Sequence, residues 1–153
     1  MKTIIWLLII AAFPTNASPP EPVKFCDLLR NPAQYNGKEV TVRASHRYGF
    51  EWSYLFCLDC PNLQGHVWLE FSDDLDDASR KALKRQPKDA GVVNITVRGK
   101  FFSGSTYGHL NGYKYEFVAN SASDVAVVIK GMKSLSEEKS AEEQWACGRK
   151  NPK

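Results

Sequence analysis

The sequence predicts a mainly β domain with short helices: five strands, with one helix set between the third and the fourth. Three observations predict it. Apolar and polar residues alternate from Val40 through Ser45 and again from Val93 through Arg98, the period of a half-buried strand. Turn signals such as Asn36-Gly37 separate the apolar runs. A single helical pattern, residues 73–86, interrupts the series of strands.

Composition narrows the class. The chain has 153 residues, 43% hydrophobic and 24% charged, which suits one globular domain and excludes disordered, collagen-like and coiled-coil chains. A net charge of +3 is too weak to argue for a nucleic-acid partner, and none is expected.

Residues 1–17 read as a signal peptide. Lys2 provides the positive start, residues 4–13 are apolar without a break, Pro14 ends the run, and Thr15-Asn16-Ala17 offers a cleavage site. Spanning a bilayer takes about 20 apolar residues, so this stretch is too short for a comfortable anchor. The expectation is an exported protein, periplasmic or extracellular, with no membrane span after cleavage. Residues 18–22 form a Pro-rich leader, residues 23–130 the domain, and residues 131–153 a polar tail. Within that tail, residues 134–147 are a helix candidate, because Ser134 and Glu137 form a capping box.

The domain opens with a predicted helix over 23–31. Phe25, Leu28 and Leu29 recur at helical spacing, and Pro32 stops the helix. Strands are predicted over 38–48, 52–58, 67–71, 92–102 and 113–119, with 125–129 extending the last or forming a sixth. In the helix over 73–86 the acids (Asp73, Asp74, Asp76, Asp77) come first and the bases (Arg80, Lys81, Lys84, Arg85) last. That order complements the helix dipole and reads as a solvated face.

Five strands with a helix between the third and fourth is the order of an OB-fold, a five-stranded Greek-key barrel. Its ligands usually lie across strands two and three and against the loops after strands one and four. The run Cys-Asp-Leu-Leu-Arg-Asn-Pro-Ala-Gln-Tyr-Asn-Gly-Lys-Glu-Val-Thr-Val-Arg over 26–43 resembles the opening of small, largely uncharacterised exported bacterial proteins with OB-like domains. Tyr-Gly-His-Leu-Asn-Gly-Tyr over 107–113 resembles the same group. The resemblance covers about residues 26–129 and implies an OB-like fold. It carries no catalytic residues.

Four cysteines, Cys26, Cys57, Cys60 and Cys147, are an even count, which in an oxidising compartment favours disulfides of undetermined pairing. Cys57-Leu-Asp-Cys60 has two further readings. One is a zinc site from Cys57, Cys60, His66 and Cys26, although two cysteines two residues apart supply only half of a tetrahedral set. The other is a redox dithiol, against which Asp59 would raise the thiol pKa values.

Tyr48, Phe50, Trp52, Tyr54 and Phe56 occupy every second position, which puts aromatics on one face of an unbroken strand. Gly49 is expected to turn the chain, so the five need not be coplanar, and some are expected to fill the interior. Gly104, Gly108 and Gly112 space a loop that carries Tyr107, His109 and Asn111. His46 reads as a packed residue rather than a base. Asn94-Ile95-Thr96 matches the N-glycosylation pattern but falls inside a predicted strand. No nucleophile, phosphate-loop or metalloprotease motif appears, so no enzyme and no cofactor is expected. The expected function is binding. A saccharide, peptide or envelope protein would meet Tyr48, Phe50, Trp52, Trp68, Tyr107, His109 and Asn111.

Overall fold

A computed structural model of the chain describes residues 22–60, 65–131 and 147. The signal peptide, all of the leader but Pro22, and all of the tail helix but Cys147 lie outside the described residues. The protein is mainly β, with one six-stranded mixed sheet and three short helices among these residues. The strands are β1 (Pro22–Lys24), β2 (Glu39–Tyr48), β3 (Ser53–Phe56), β4 (Val67–Phe71), β5 (Gly91–Tyr107) and β6 (Tyr113–Lys130). The helices are α1 (Phe25–Arg30), α2 (Pro32–Tyr35) and α3 (Asp77–Leu83).

The pairings form a circuit. β2 pairs antiparallel with β3, β3 with β4, β4 in parallel with β6, and β6 antiparallel with β5. β5 then pairs along the whole of β2, from Glu39↔Lys100 to Tyr48↔Gly91. The alternation that predicts β2 and β5 sorts their two faces. Val42, Val93, Ile95 and Val97 turn inward with Leu55, Val67, Leu69, Phe101 and Phe117, all essentially without exposure. α1 lays Phe25, Leu28 and Leu29 on this same core.

The structure departs from the predicted elements in several places. A second helix, α2, begins at Pro32, the residue expected to end the first, and β3 stops at Phe56 because the chain turns at Leu58 and Asp59 instead of running on as strand to residue 58. Val23 and Lys24, expected in the first helix, belong to β1, which runs parallel to Thr41–Arg43 of β2. The cause is the shortness of β3: four residues cover only Ser45 to Tyr48, and β1 takes Thr41–Arg43 of the edge left open, where backbone groups would otherwise lack partners. The helix expected over 73–86 is confined to α3. Asp76 caps it by accepting from the Ser79 N–H at 2.6 Å, which leaves Asp73 and Asp74 in the turn before it. Residues 125–129 extend the last strand, the first of the two alternatives the sequence leaves open, and β6 is continuous through register shifts that include Asp124 at φ 51°. Finally, β5 runs on to Tyr107, so half of the expected glycine loop is strand.

Candidate functional site

Register decides which aromatics share a face. Tyr54 pairs with Trp68, so both point to the same side of the sheet, and Phe56 and His66 follow two residues along. The rings meet there. Tyr54 and His66 stack at 4.3 Å between centroids, Tyr54 lies 5.9 Å from Phe56, and Phe56 lies 6.3 Å from His66. Tyr113, at the start of β6, brings its ring to 5.0 Å from Trp68 and 6.0 Å from Tyr54. The result is a half-exposed aromatic face across β3, β4 and the β5–β6 hairpin.

The hairpin folds over that face. Gly108 sits at φ 68° and ψ −164°, a conformation essentially restricted to glycine, and a Cβ there would collide with the Trp68 indole. Past it, His109–Asn111 make a 3-10 turn, with Leu110 and Asn111 at positive φ. Beside the hairpin opens a cleft of about 450 Å³, lined by Gly65, His66, Gly112, Tyr113, Lys114 and Tyr115.

Polar groups frame the rings. Trp68 Nε1 donates to Glu70 Oε1 at 2.9 Å. Glu116 pairs in register with Trp68, and its carboxyl is pushed up by burial and by the charge of Glu70. The Tyr113 phenol is raised by burial and by Tyr54. His66 is lowered by desolvation among its neighbours and then by the charge of Arg47.

The expected binding residues divide into two groups. Trp68 is in the aromatic face, and Tyr107 anchors the hairpin by pairing with Tyr113. His109 and Asn111 are exposed on the hairpin. Tyr48, Phe50 and Trp52 lie elsewhere, since Tyr48 pairs with Gly91 at the opposite end of β5 from Tyr107. Tyr48 pairs with Ser53, and so faces the core side rather than the side of Tyr54. Its hydroxyl donates to the Pro87 carbonyl at 2.7 Å, and burial pushes it up to about 12. Phe50 is 95% exposed at the β2–β3 turn. Trp52 is half-buried in that turn, and its carbonyl accepts from the Gly49 N–H at 2.8 Å. Gly49 therefore turns the chain, and the five alternating aromatics split between faces. Tyr54, Phe56 and Tyr113 join the site without having been singled out as binding residues. The pairing of Tyr54 with Trp68 is the signal that finds them, and it exists only once the register of β3 on β4 is known.

His46 is buried in the core. Its Nε2–H donates to Ser53 Oγ at 3.1 Å, because Ser53 Oγ itself donates to the Leu69 carbonyl at 2.8 Å. Nδ1 accepts from Gln86 Nε2 at 3.3 Å. Both ring nitrogens are thus satisfied in the neutral form, which is the packed histidine expected. Asn94 is only 7% exposed, and its side-chain oxygen accepts from Ser45 Oγ at 2.9 Å. The glycosylation motif is folded into the sheet.

The cysteines form two disulfides, Cys26–Cys60 and Cys57–Cys147. Disulfide sulfurs are not thiolates, so the zinc set of Cys57, Cys60, Cys26 and His66 lacks its anionic donors in this state. His66 is engaged in the ring stack with Tyr54. Among the described residues, no helix is long and apolar enough to cross a membrane.

Comparison with protein-family models, with curated proteins and with solved structures finds no match. The functional reading therefore rests on the geometry of this chain.

Proposed function

We propose that this chain is an exported, non-catalytic binding module built on an OB-like barrel, and that its ligand is a saccharide held on the face formed by Tyr54, His66, Trp68 and Tyr113. The circuit β2–β3–β4–β6–β5–β2 supports the barrel reading, because it joins the strands in OB order. β1 is an addition to that scheme. The two disulfides support an oxidising compartment.

The observation that carries the ligand reading is the convergence of the Tyr54–His66 stack and the Trp68–Tyr113 pair on one half-exposed face. Aromatic rings offer flat apolar area to the C–H faces of a sugar. Glu70, Glu116 and Lys114 at the margin offer hydrogen bonds to its hydroxyls. A peptide added as a further strand would need a free sheet edge, and at Tyr54 and Trp68 both edges of β3 and β4 are paired.

Titration with oligomers of glucose and of N-acetylglucosamine, followed by tryptophan emission, tests the reading. At least one series should quench the protein saturably. Trp68→Ala and Tyr54→Ala should each weaken that binding at least tenfold while far-UV circular dichroism is retained. If neither series perturbs emission or the amide spectrum of the wild-type protein, the saccharide reading falls. A module that instead retains an envelope protein through the same face would replace it.

A further inference from the structure

The two disulfides are neighbours. The sulfurs of Cys26, Cys57 and Cys60 all lie within 4.8 Å of one another, so Cys57 Sγ is close to both atoms of the Cys26–Cys60 bridge. Each bridge joins a buried cysteine to a half-buried one. Cys57 and Cys60 are 9% and 6% exposed, whereas Cys26 and Cys147 are half-buried. The two buried members are the ends of Cys57-Leu58-Asp59-Cys60. That segment is a tight turn, closed by the Cys60 N–H donating to the Cys57 carbonyl at 3.4 Å. A turn of this kind keeps its first and fourth Cα atoms within about 7 Å. Disulfides span Cα separations of about 4.4–6.8 Å. A bond between Cys57 and Cys60 is therefore within reach with little movement of the backbone.

We propose that the two disulfides act as one two-electron thiol-exchange site, whose reduced form holds a Cys57–Cys60 bridge and leaves Cys26 and Cys147 as thiols. The co-substrate is a low-molecular-weight thiol. Its thiolate attacks Cys147 Sγ, the bond to Cys57 breaks, and the electron pair leaves on Cys57. The Cys57 thiolate then attacks Cys60 Sγ. The Cys26–Cys60 bond breaks and Cys26 leaves as a thiolate, which takes up a proton. A second thiolate attacks the mixed disulfide on Cys147, releasing the oxidised thiol dimer and a Cys147 thiol. In balance, two thiols are oxidised to one disulfide, one of the two protein disulfides is reduced, and two protons pass to Cys26 and Cys147. Attack at Cys26 reaches the same product through Cys60, which then displaces Cys147 from Cys57.

The exchange trades two long-range links for one local link. α1 loses its bond to the β3–β4 connection, and Cys147 is released from its place 3.5 Å from the Phe56 carbonyl oxygen, beside the aromatic face. The exchange needs only the proximity of the sulfurs and is independent of any ligand on the aromatic face.

The experiment is limited reduction of the full chain in a graded glutathione buffer, followed by acid quench, alkylation and peptide mass mapping. The expected two-electron species carries the label on Cys26 and Cys147, with Cys57 and Cys60 joined. Label on Cys57 and Cys147, with Cys26–Cys60 intact, would mean independent bridges and would overturn the proposal. So would label on Cys26 and Cys60, or direct passage to four thiols. The double variant Cys26→Ser/Cys147→Ser gives a second reading. After air oxidation it should show a Cys57–Cys60 bond by mass, and two persistent free thiols in the folded variant would also overturn the assignment.

Discussion

The imidazole of His46 and the hydroxyl of Ser53 have fixed proton positions: Nε2 donates across 3.1 Å to an oxygen whose own proton is already given to the Leu69 carbonyl. Removing the hydroxyl leaves a buried N–H and a carbonyl without this partner. Ser53→Ala should destabilise the protein by about 1–3 kcal/mol, the cost of unsatisfied buried polar groups. Urea unfolding at neutral pH measures it, and an unchanged midpoint would contradict the chain of bonds.

The same histidine sets an acid limit. Burial lowers it to about 3, against about 6.5 in the unfolded chain. Above about pH 6.5 it is neutral in both states and adds no pH dependence. Below that, the unfolded chain binds a proton that the folded chain refuses. Stability should fall by up to about 1.4 kcal/mol per pH unit from this group, levelling off near its folded value. Urea midpoints between pH 7 and pH 4 report the slope. In a folded His46→Leu variant the slope should be flatter, and equal slopes would assign the acid sensitivity to other groups.

Ser79 joins α3 to the sheet. Its Oγ accepts from the Ala122 N–H at 2.9 Å, in a buried setting on the edge of β6 beyond Ala119, where its pairing with β4 ends. Ser79→Ala should cost about 1–3 kcal/mol. Hydrogen exchange at Ala122 should accelerate before that of the neighbouring amides, which separates loss of this bond from general loosening.

Gly108→Ala introduces a Cβ where the backbone conformation excludes one and where the Trp68 indole already stands. The expected outcome is a loss of about 1–3 kcal/mol with a shift in tryptophan emission. Gly104, also at positive φ but with open space around its Cβ position, is the control. Gly104→Ala should leave the emission maximum in place.

Phe117 is without exposure at the centre of the core, where it pairs with both Leu69 and Phe101 in register. Phe117→Ala should cost about 3–5 kcal/mol. Calorimetry should show a large fall in melting temperature, and a fall of only a degree or two would mean that the core closes over the cavity.

Period-two patterning made β2 and the core stretch of β5 legible in the sequence, and it placed β4 with its bounds. Those strands bury one face continuously, so their side chains record the pairing. β1 was not legible, because Val23 and Lys24 are strand only by virtue of the edge that β3 leaves open on β2. The site was legible in part. Trp68 and Tyr107 could be picked out from local text, and so could the hairpin that bears His109 and Asn111. Tyr54, Phe56 and Tyr113 depend on partners distant in the chain. Tyr48 looked like its neighbours in spacing, but the reversal at Gly49 puts its ring on the core side, 5.1 Å from His46.

The pairing of β2 with β5 also governs how the molecule comes together in time. β2 is complete early in the chain, yet its longest ladder closes only when the segment from Gly91 to Lys100 arrives, and β4 waits still longer for β6. High contact order of this kind places folding in the millisecond-to-second range. During that interval the apolar face of β2 (Val40, Val42 and Ala44) is exposed, and a holding chaperone would find its binding segment there.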